Sequence, residues 1–423
     1  MKEQIKRADI EIMAPAGSFE ALTAAINAGA DSIYFGAGTM NMRSRSSANF
    51  SLDDLTEIAS ICRKAAVKSY LTMNTIIYGD ELELMKTTCD TALAAGIDAI
   101  IAADIAVIQY ASSIGLPVHI SVQANVSNIE AVKFFANFAD VMVLARELTL
   151  PQIAEIIQTI EHENIIGPAG EKIKIELFAH GALCVAVSGK CYMSLGNYNS
   201  SANRGACFQT CRRAYRVTDE ETGEELVIDN KYVMSPKDIC TINIIDRLLE
   251  TGVAIFKIEG RGRSADYVST VTAIYREAIE AWFDGTFDQS HIDKWLPRLE
   301  TVFNRGFWMG GYYLGEKLGE WTGYSGNRAT QTKHHIGKVN KYFTKIKVAE
   351  IVLPAGDLKT GSEILIIGPT TGTVRASVNE LRLDGKVVAE AGKGSTISLA
   401  IPEKVRPNDK VYLISERRFG QPV

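Results

Sequence analysis

The chain has 423 residues, of which 46% are apolar and 22% charged, and its 45 basic and 50 acidic side chains leave a formal net charge of −5. This composition excludes a disordered or fibrous protein. The length accommodates a closed α/β barrel plus a further module, and the acidic balance confines any nucleic-acid contact to a local basic patch.

Met1–Asp9 is charged and lacks the apolar stretch and cleavage site of a signal peptide. No run is long and apolar enough for a transmembrane helix, so no membrane partner is expected. Seven cysteines in a chain of this size do not read as a secreted disulfide scaffold. The expected compartment is the cytoplasm, where thiols stay reduced and can ligate metal.

From Ile10 onward eight short apolar runs recur: Ile10–Pro15, Ser32–Gly36, Lys68–Asn74, Ala99–Asp104, Val118–Asn125, Asp140–Arg146, Ile173–His180 and Ile255–Arg261. Continuous apolar runs fit parallel strands covered on both faces. Phe19–Ala28, Leu52–Ala66, Leu82–Ala95 and Ile129–Phe138 carry apolar residues at helical spacing. Gly29, Gly96 and Gly115 fall where helices would end. The pattern predicts an α/β fold, a TIM-like (β/α)8 barrel over residues 1–322, with an open doubly wound sheet as the competitor.

One unit is abnormal. Between the seventh run and a helix expected near Pro236, with Ser235 as N-cap, lies an insertion of about residues 181–235. Loops this long inside a compact domain are usually functional. This one holds four cysteines and an expected hairpin, Arg213–Thr218 with Glu224–Ile228. Residues 323–334 read as a linker. From 335 to 423, short β-rich runs punctuated by glycine predict a small antiparallel β-barrel.

Cys184, Cys191, Cys207 and Cys211 lie in the insertion, and Cys240 follows it. Iron–sulfur clusters need four thiolates converging on one core, which a glycine-containing loop can wrap. Structural zinc takes the same ligands, and the spacing does not separate the two. Cys62 and Cys89 sit within expected helices and read as small buried residues.

The stretch Glu176 to Cys191, with Phe178, His180, Gly181, Ser188 and Gly189, resembles the signature of the collagenase-like peptidase family U32. So do Ala14–Ser18, Gly29–Asp31, Tyr34–Gly36, Asn49-Phe50, Asn74-Thr75, His119–Gln123, Ala145–Glu147, Asn203–Gly205, Ser235–Asp238 and Lys257–Arg261. The C-terminal module resembles the small barrel appended to one branch of that family and domain two of translation factors. That branch implies an RNA-modifying hydroxylase rather than a protease. Its members form 5-hydroxyuridine at the tRNA wobble position by a prephenate-dependent route with a 4Fe-4S cluster. Related members hydroxylate a ribosomal RNA cytidine or act in oxygen-independent ubiquinone hydroxylation. The resemblance matches the cluster ligands to Cys184, Cys191, Cys207 and Cys240, with Cys211 as an alternative.

His180, four residues before Cys184, invites a cysteine-peptidase reading with His180 as base, but a role supporting the cluster site from behind fits the crowd of thiols better. Asn74, Asp104, Gln123, Asn125, Arg146, Glu147, Glu259 and Arg261 fall near strand C-termini, the catalytic face of a barrel. Arg146 and Arg261 are the candidates for gripping a small dicarboxylate such as prephenate. Arg204, Arg212, Arg213 and Arg216, interleaved with Tyr192, Tyr198, Phe208 and Tyr215, form a candidate tRNA platform, with Arg43 and Arg45 extending it. A solvated loop face is the plainer reading. Neither a His-Glu-x-x-His motif nor a Gly-x-Ser-x-Gly elbow is present. A U32-type peptidase and a non-catalytic RNA-binding protein are the two alternatives to the hydroxylase. The oligomeric state is not legible.

Overall fold

A computed structural model describes residues 5–44, 49–216, 218–223, 234–316, 320–323 and 326–417. Ten strands build the first sheet: β1 (Glu11–Ala16), β2 (Ser32–Phe35), β3 (Lys68–Met73), β4 (Ala99–Ala102), β5 (Val118–Ile120), β6 (Val141–Val143), β7 (Lys174–Gly181), β8 (Asp238–Cys240), β9 (Ile255–Ile258) and β10 (Phe307–Met309). β1 to β7 pair in sequence order, each parallel to the last. β9 pairs in parallel with both β1 and β7 and closes the barrel. These are the eight strands expected from the sequence. Their side chains are buried almost throughout because helices cover the outside while the barrel interior packs on itself.

The helices are α1 (Phe19–Asn27), α2 (Leu55–Lys64), α3 (Leu82–Ala95), α4 (Ile105–Ser113), α5 (Ile129–Phe135), α6 (Leu150–Glu163), α7 (Met193–Tyr198), α8 (Ile245–Glu250), α9 (Ala265–Phe283) and α10 (Gln289–Glu300). Their starts follow local chemistry. Ser18, Asp104 and Asn128 accept backbone N–H bonds as N-caps of α1, α4 and α5. Gly96 ends α3 at φ 76°, a left-handed conformation that glycine adopts without strain.

The expected helix at Pro236 is a correction. Residues 238–240 form β8, which pairs antiparallel with the end of β7, His180 opposite Cys240. β10 then adds to β8 in parallel. β7 runs on past its neighbours in the barrel, and its extra length offers hydrogen-bonding partners that outweigh the capping signal of Ser235-Pro236. Helical structure resumes only at Ile242. The second arm of the expected hairpin, Glu224–Ile228, and Arg45 lie outside the described residues.

Residues 331–417 form an eight-stranded antiparallel sheet around its own core of Ile336, Val339, Ile351, Leu353, Ile364, Ile366 and Leu399. Its first strand, Gln331–Phe343, begins inside the span expected as linker, because residues 331–335 already pair with 412–416. The module is seated on the helical ring. Thr23 of α1 donates to Pro369 O at 2.6 Å, Asn27 donates to Thr371 O at 3.2 Å, and Lys333 pairs with Asp266 of α9. Gly372 approaches so closely, at φ 70°, that a Cβ there would stand 2.9 Å from Ala24 N.

Candidate active site

The C-terminal ends of the barrel strands open on a cavity of about 340 Å³, walled by the barrel and roofed by the insertion. Barrel strands present alternate residues to the same side, and β9 with its continuation uses this to aim Lys257, Glu259 and Arg261 into the cavity. Tyr34 of β2, Thr72 of β3 and Phe178 of β7 supply the floor, and Arg146 enters after β6.

Seven cationic side chains line this space: Arg43, Arg146, Arg212, Lys257, Arg261, Arg263 and Arg305. Among the described lining residues only Glu259 carries a carboxylate. Burial works to raise the Glu259 carboxyl, but Arg43, then Arg263, Arg146 and Arg261, outweigh it and hold it down at about 2. The cations are fixed in different ways. Arg261 donates to Asn41 Oδ1 at 3.0 Å and to Thr72 Oγ1 at 2.6 Å, and burial lowers its guanidinium to about 10. Arg146 lies over the Phe178 ring at 4.1 Å, its Nη1 donating to Ala182 O. Arg263 lies over the Phe303 ring at 3.5 Å. Arg305 pairs with Asp238 of β8 at 3.3 Å.

The insertion is tied down at several points. Arg204 grips Glu81 with both terminal nitrogens, at 2.8 and 2.7 Å, and lies 3.7 Å above the Tyr78 ring. Arg212 donates to Leu183 O, Ser235 Oγ and Pro236 O and so ties the two ends of the insertion together. Gly205 sits at φ 82° with no room for a Cβ, which would stand 2.5 Å from Asn41 O. These contacts bring Cys184, Cys191, Cys207 and Cys211 to the one cavity. All seven cysteines are free thiols. Burial pushes Cys211 up to about 11 and also raises Cys191.

Cys240 is not with them. It ends β8, fully buried in the core, 4.0 Å from Tyr275 Oη, and burial pushes its thiol up to about 12. The thiols that share the cavity are thus Cys184, Cys191, Cys207 and the alternative Cys211, with Cys240 apart. Among the described residues no three His, Cys, Asp or Glu side chains are already drawn together as a metal-binding group. The donor set nonetheless suits a thiolate-held cluster in kind and number, four cysteines facing one space on a glycine-containing loop.

His180 also stands apart from the cavity. Strand alternation from Phe178 would point it inward, but the pairing of β7 with β9 slips between Phe178 and His180. Such a bulge re-aims the side chain. His180 faces outward, buried among Tyr267, Tyr275 and Phe307, its Nδ1 3.4 Å from Tyr275 Oη, and burial lowers it to about 3. It does not line the cavity with Cys184. Glu147 is exposed and also lies outside the cavity.

Of the expected RNA-contacting residues, Arg204 and Arg212 are engaged within the protein as described. Arg213 is exposed and donates to Tyr198 Oη, Arg216 is exposed, and Tyr215 donates to Thr210 O at 2.7 Å. Tyr192, Tyr198 and Phe208 are exposed, with the last two rings 5.1 Å apart. Lys257, Arg263 and Arg305 were not singled out from the sequence. The two-residue spacing of Lys257, Glu259 and Arg261 was the available signal for the first.

Residues 17–323 match peptidase family U32. The chain belongs to family U32. A U32 relative from Porphyromonas gingivalis strain W83 named collagenase is 54% identical over 97% of this chain and 99% of its own. The tRNA hydroxylation protein P1 of Bacillus subtilis is 32% identical over 70% of this chain and 69% of its own. The 23S rRNA 5-hydroxycytidine C2501 synthase of Escherichia coli is 33% identical over 70% of this chain and 44% of its own. The U32 match thus joins relatives carrying peptidase and RNA-hydroxylation names. Among the described residues no helix is long and apolar enough to cross a membrane.

Proposed function

We propose that this U32 protein is an RNA-modifying hydroxylase that forms 5-hydroxyuridine in tRNA, with a small dicarboxylate of the prephenate type as cosubstrate. One observation carries the reading: six arginines against one lining carboxylate around a cavity roofed by four thiols. Such a cavity favours a small polyanion, because the grouped arginines outnumber the carboxylate on its lining and attract negative charge into it. Cys184, Cys191, Cys207 and Cys211 would hold a 4Fe-4S cluster, with zinc as the alternative occupant. When bound, such a cluster supplies one-electron chemistry at the cavity roof. Arg146 and Arg261 would orient the carboxylates. The exposed aromatics of the insertion would stack bases of an unpaired loop. The free thiols accord with the cytoplasm.

The 54% identity to a relative named collagenase favours a second reading, a peptidase. Against it, His180 is turned away from the cavity, and none of the described lining residues is a histidine that could activate a thiol. The deciding experiment compares nucleosides of tRNA from deletion and wild-type strains by mass spectrometry, alongside a collagen-peptide cleavage assay. Loss of 5-hydroxyuridine without cleavage is expected. Unchanged 5-hydroxyuridine with cleavage that needs Cys184 would install the peptidase.

A further inference from the structure

Barrels of this kind ordinarily fill their axis with Val, Ile and Leu. Here the axis below the cavity is polar. Lys257 Nζ lies 2.7 Å from Glu176 Oε1, the side chains being 5% and 0% exposed. The other oxygen, Glu176 Oε2, and His119 Nδ1 are both buried without a hydrogen-bond partner and face each other at 4.0 Å. The His119 ring is 4.5 Å from that of Tyr70. Only Lys257 of this row reaches the cavity, above the face of Tyr34 at 4.4 Å. Tyr34 is held in place by its own bond to Ile258 O at 2.9 Å.

Desolvation lowers Lys257 and raises Glu176. Both shifts lean toward the uncharged forms, the direction in which the shared proton moves from the amine to the carboxyl. A desolvated lysine amine is the usual nucleophile toward carbonyl compounds.

We propose that Lys257 condenses with the carbonyl of a small 2-oxo acid bound at the cavity floor, Glu176 taking the proton that the ammonium loses. The inference rests on the reading above that the cavity takes a small anionic cosubstrate, and prephenate is itself a 2-oxo acid. The Nζ–C bond forms as the carbonyl π bond opens, and the oxygen takes one of the amine's two protons to become a carbinolamine hydroxyl. The nitrogen lone pair then expels that oxygen, which leaves as water with a proton returned by Glu176, and a protonated imine remains. No oxidant or reductant is consumed. The acid's carboxylate has a partner in Arg146, whose Nε is buried and unbonded. Arg261, oriented by Asn41 and Thr72, offers its second terminal nitrogen.

The test incubates the full chain with prephenate, or with phenylpyruvate as a simpler 2-oxo acid, in the presence of cyanoborohydride. Intact mass and peptide mapping then locate any reduced adduct. One addition per chain on the peptide bearing Lys257 is expected, suppressed by excess malonate, a dicarboxylate without a carbonyl. Lys257→Arg should abolish it, and Glu176→Gln should slow it about 10²-fold. The wild-type map decides even where a variant folds poorly. Adducts scattered over surface lysines overturn the proposal. So does prephenate that binds by calorimetry but is not trapped, which leaves the anionic-cosubstrate reading intact. Prephenate that neither binds nor traps removes both.

Discussion

Arg43 Nη2 stands 2.8 Å from Glu259 Oε1, and this pair joins the loop after β2 to the end of β9, the strands on either side of β1. Glu259 is the counter-charge for a wall of arginines. Glu259→Gln, which keeps the volume and removes the charge, is expected to cost about 3 kcal/mol at neutral pH. The folded-state value of about 2 lies below the ordinary 4.5. The stabilisation is therefore complete above 4.5 and disappears as pH falls toward 2. Urea unfolding of both proteins at pH 7 and pH 3 should show the gap narrowing in acid. A gap independent of pH would refute this account of the pair.

His180 is neutral and buried, with a folded-state value of about 3 against an ordinary 6.5. Its contribution to stability is full above 6.5 and is lost as pH falls toward 3. His180→Ala should lower stability by about 2–4 kcal/mol through the cavity it leaves. It should not change the rate at which iodoacetamide alkylates Cys184 at neutral pH. A fall in that rate on losing the imidazole would restore the His–Cys dyad and the peptidase reading with it.

The thiols separate into two groups that substitution can tell apart. After anaerobic reconstitution, Cys184→Ser, Cys191→Ser, Cys207→Ser and Cys211→Ser should each lose bound iron and acid-labile sulfide. Cys240→Ala should keep both and lose about 1 kcal/mol of stability, as expected for trimming a packed core side chain. Retention of the cluster in Cys211→Ser, with loss in Cys240→Ala, would return the ligand set to the one the sequence implied. Stoichiometric zinc without sulfide in the wild type would replace the cluster altogether.

Tyr192 is 73% exposed, Phe208 48% and Tyr198 44%, far more than such rings usually are, and Arg213 reaches Tyr198. Alanine at Tyr198 or Phe208 should weaken binding of an anticodon stem-loop by about 1–3 kcal/mol if a base stacks there. Arg213→Ala should reduce the salt slope by about 1. Fluorescence anisotropy across a salt series measures both. Unchanged affinity in all three variants would place the RNA surface elsewhere.

The eight barrel strands were legible because continuous apolar runs admit few other readings, and β1 to β7 with β9 fall on them. The cavity was partly legible: Arg146, Glu259, Arg261, Cys184, Cys191, Cys207 and Cys211 were named from the sequence and line it, whereas Cys240, His180 and Glu147 do not. What escaped depends on sheet geometry. A one-residue slip between Phe178 and His180 decides which way the histidine points, and no residue type announces it. The strand at Asp238–Cys240 exists because β7 overruns its neighbours, so a proline that would open a helix elsewhere leads into a strand here. Arg204 looked like a phosphate contact, but Glu81, distant in sequence, claims it.

The antiparallel pairing of Gly181 with Ile239 makes the insertion leave and rejoin the barrel at adjacent positions on one sheet. A loop whose two ends are already stitched together adds little closure entropy when it grows. Positions of the insertion away from the cavity lining can thus be lengthened, trimmed or exchanged without shifting the register of any barrel strand. Selection can alter those positions while the floor keeps its shape, and one scaffold can come to admit different macromolecules at its mouth.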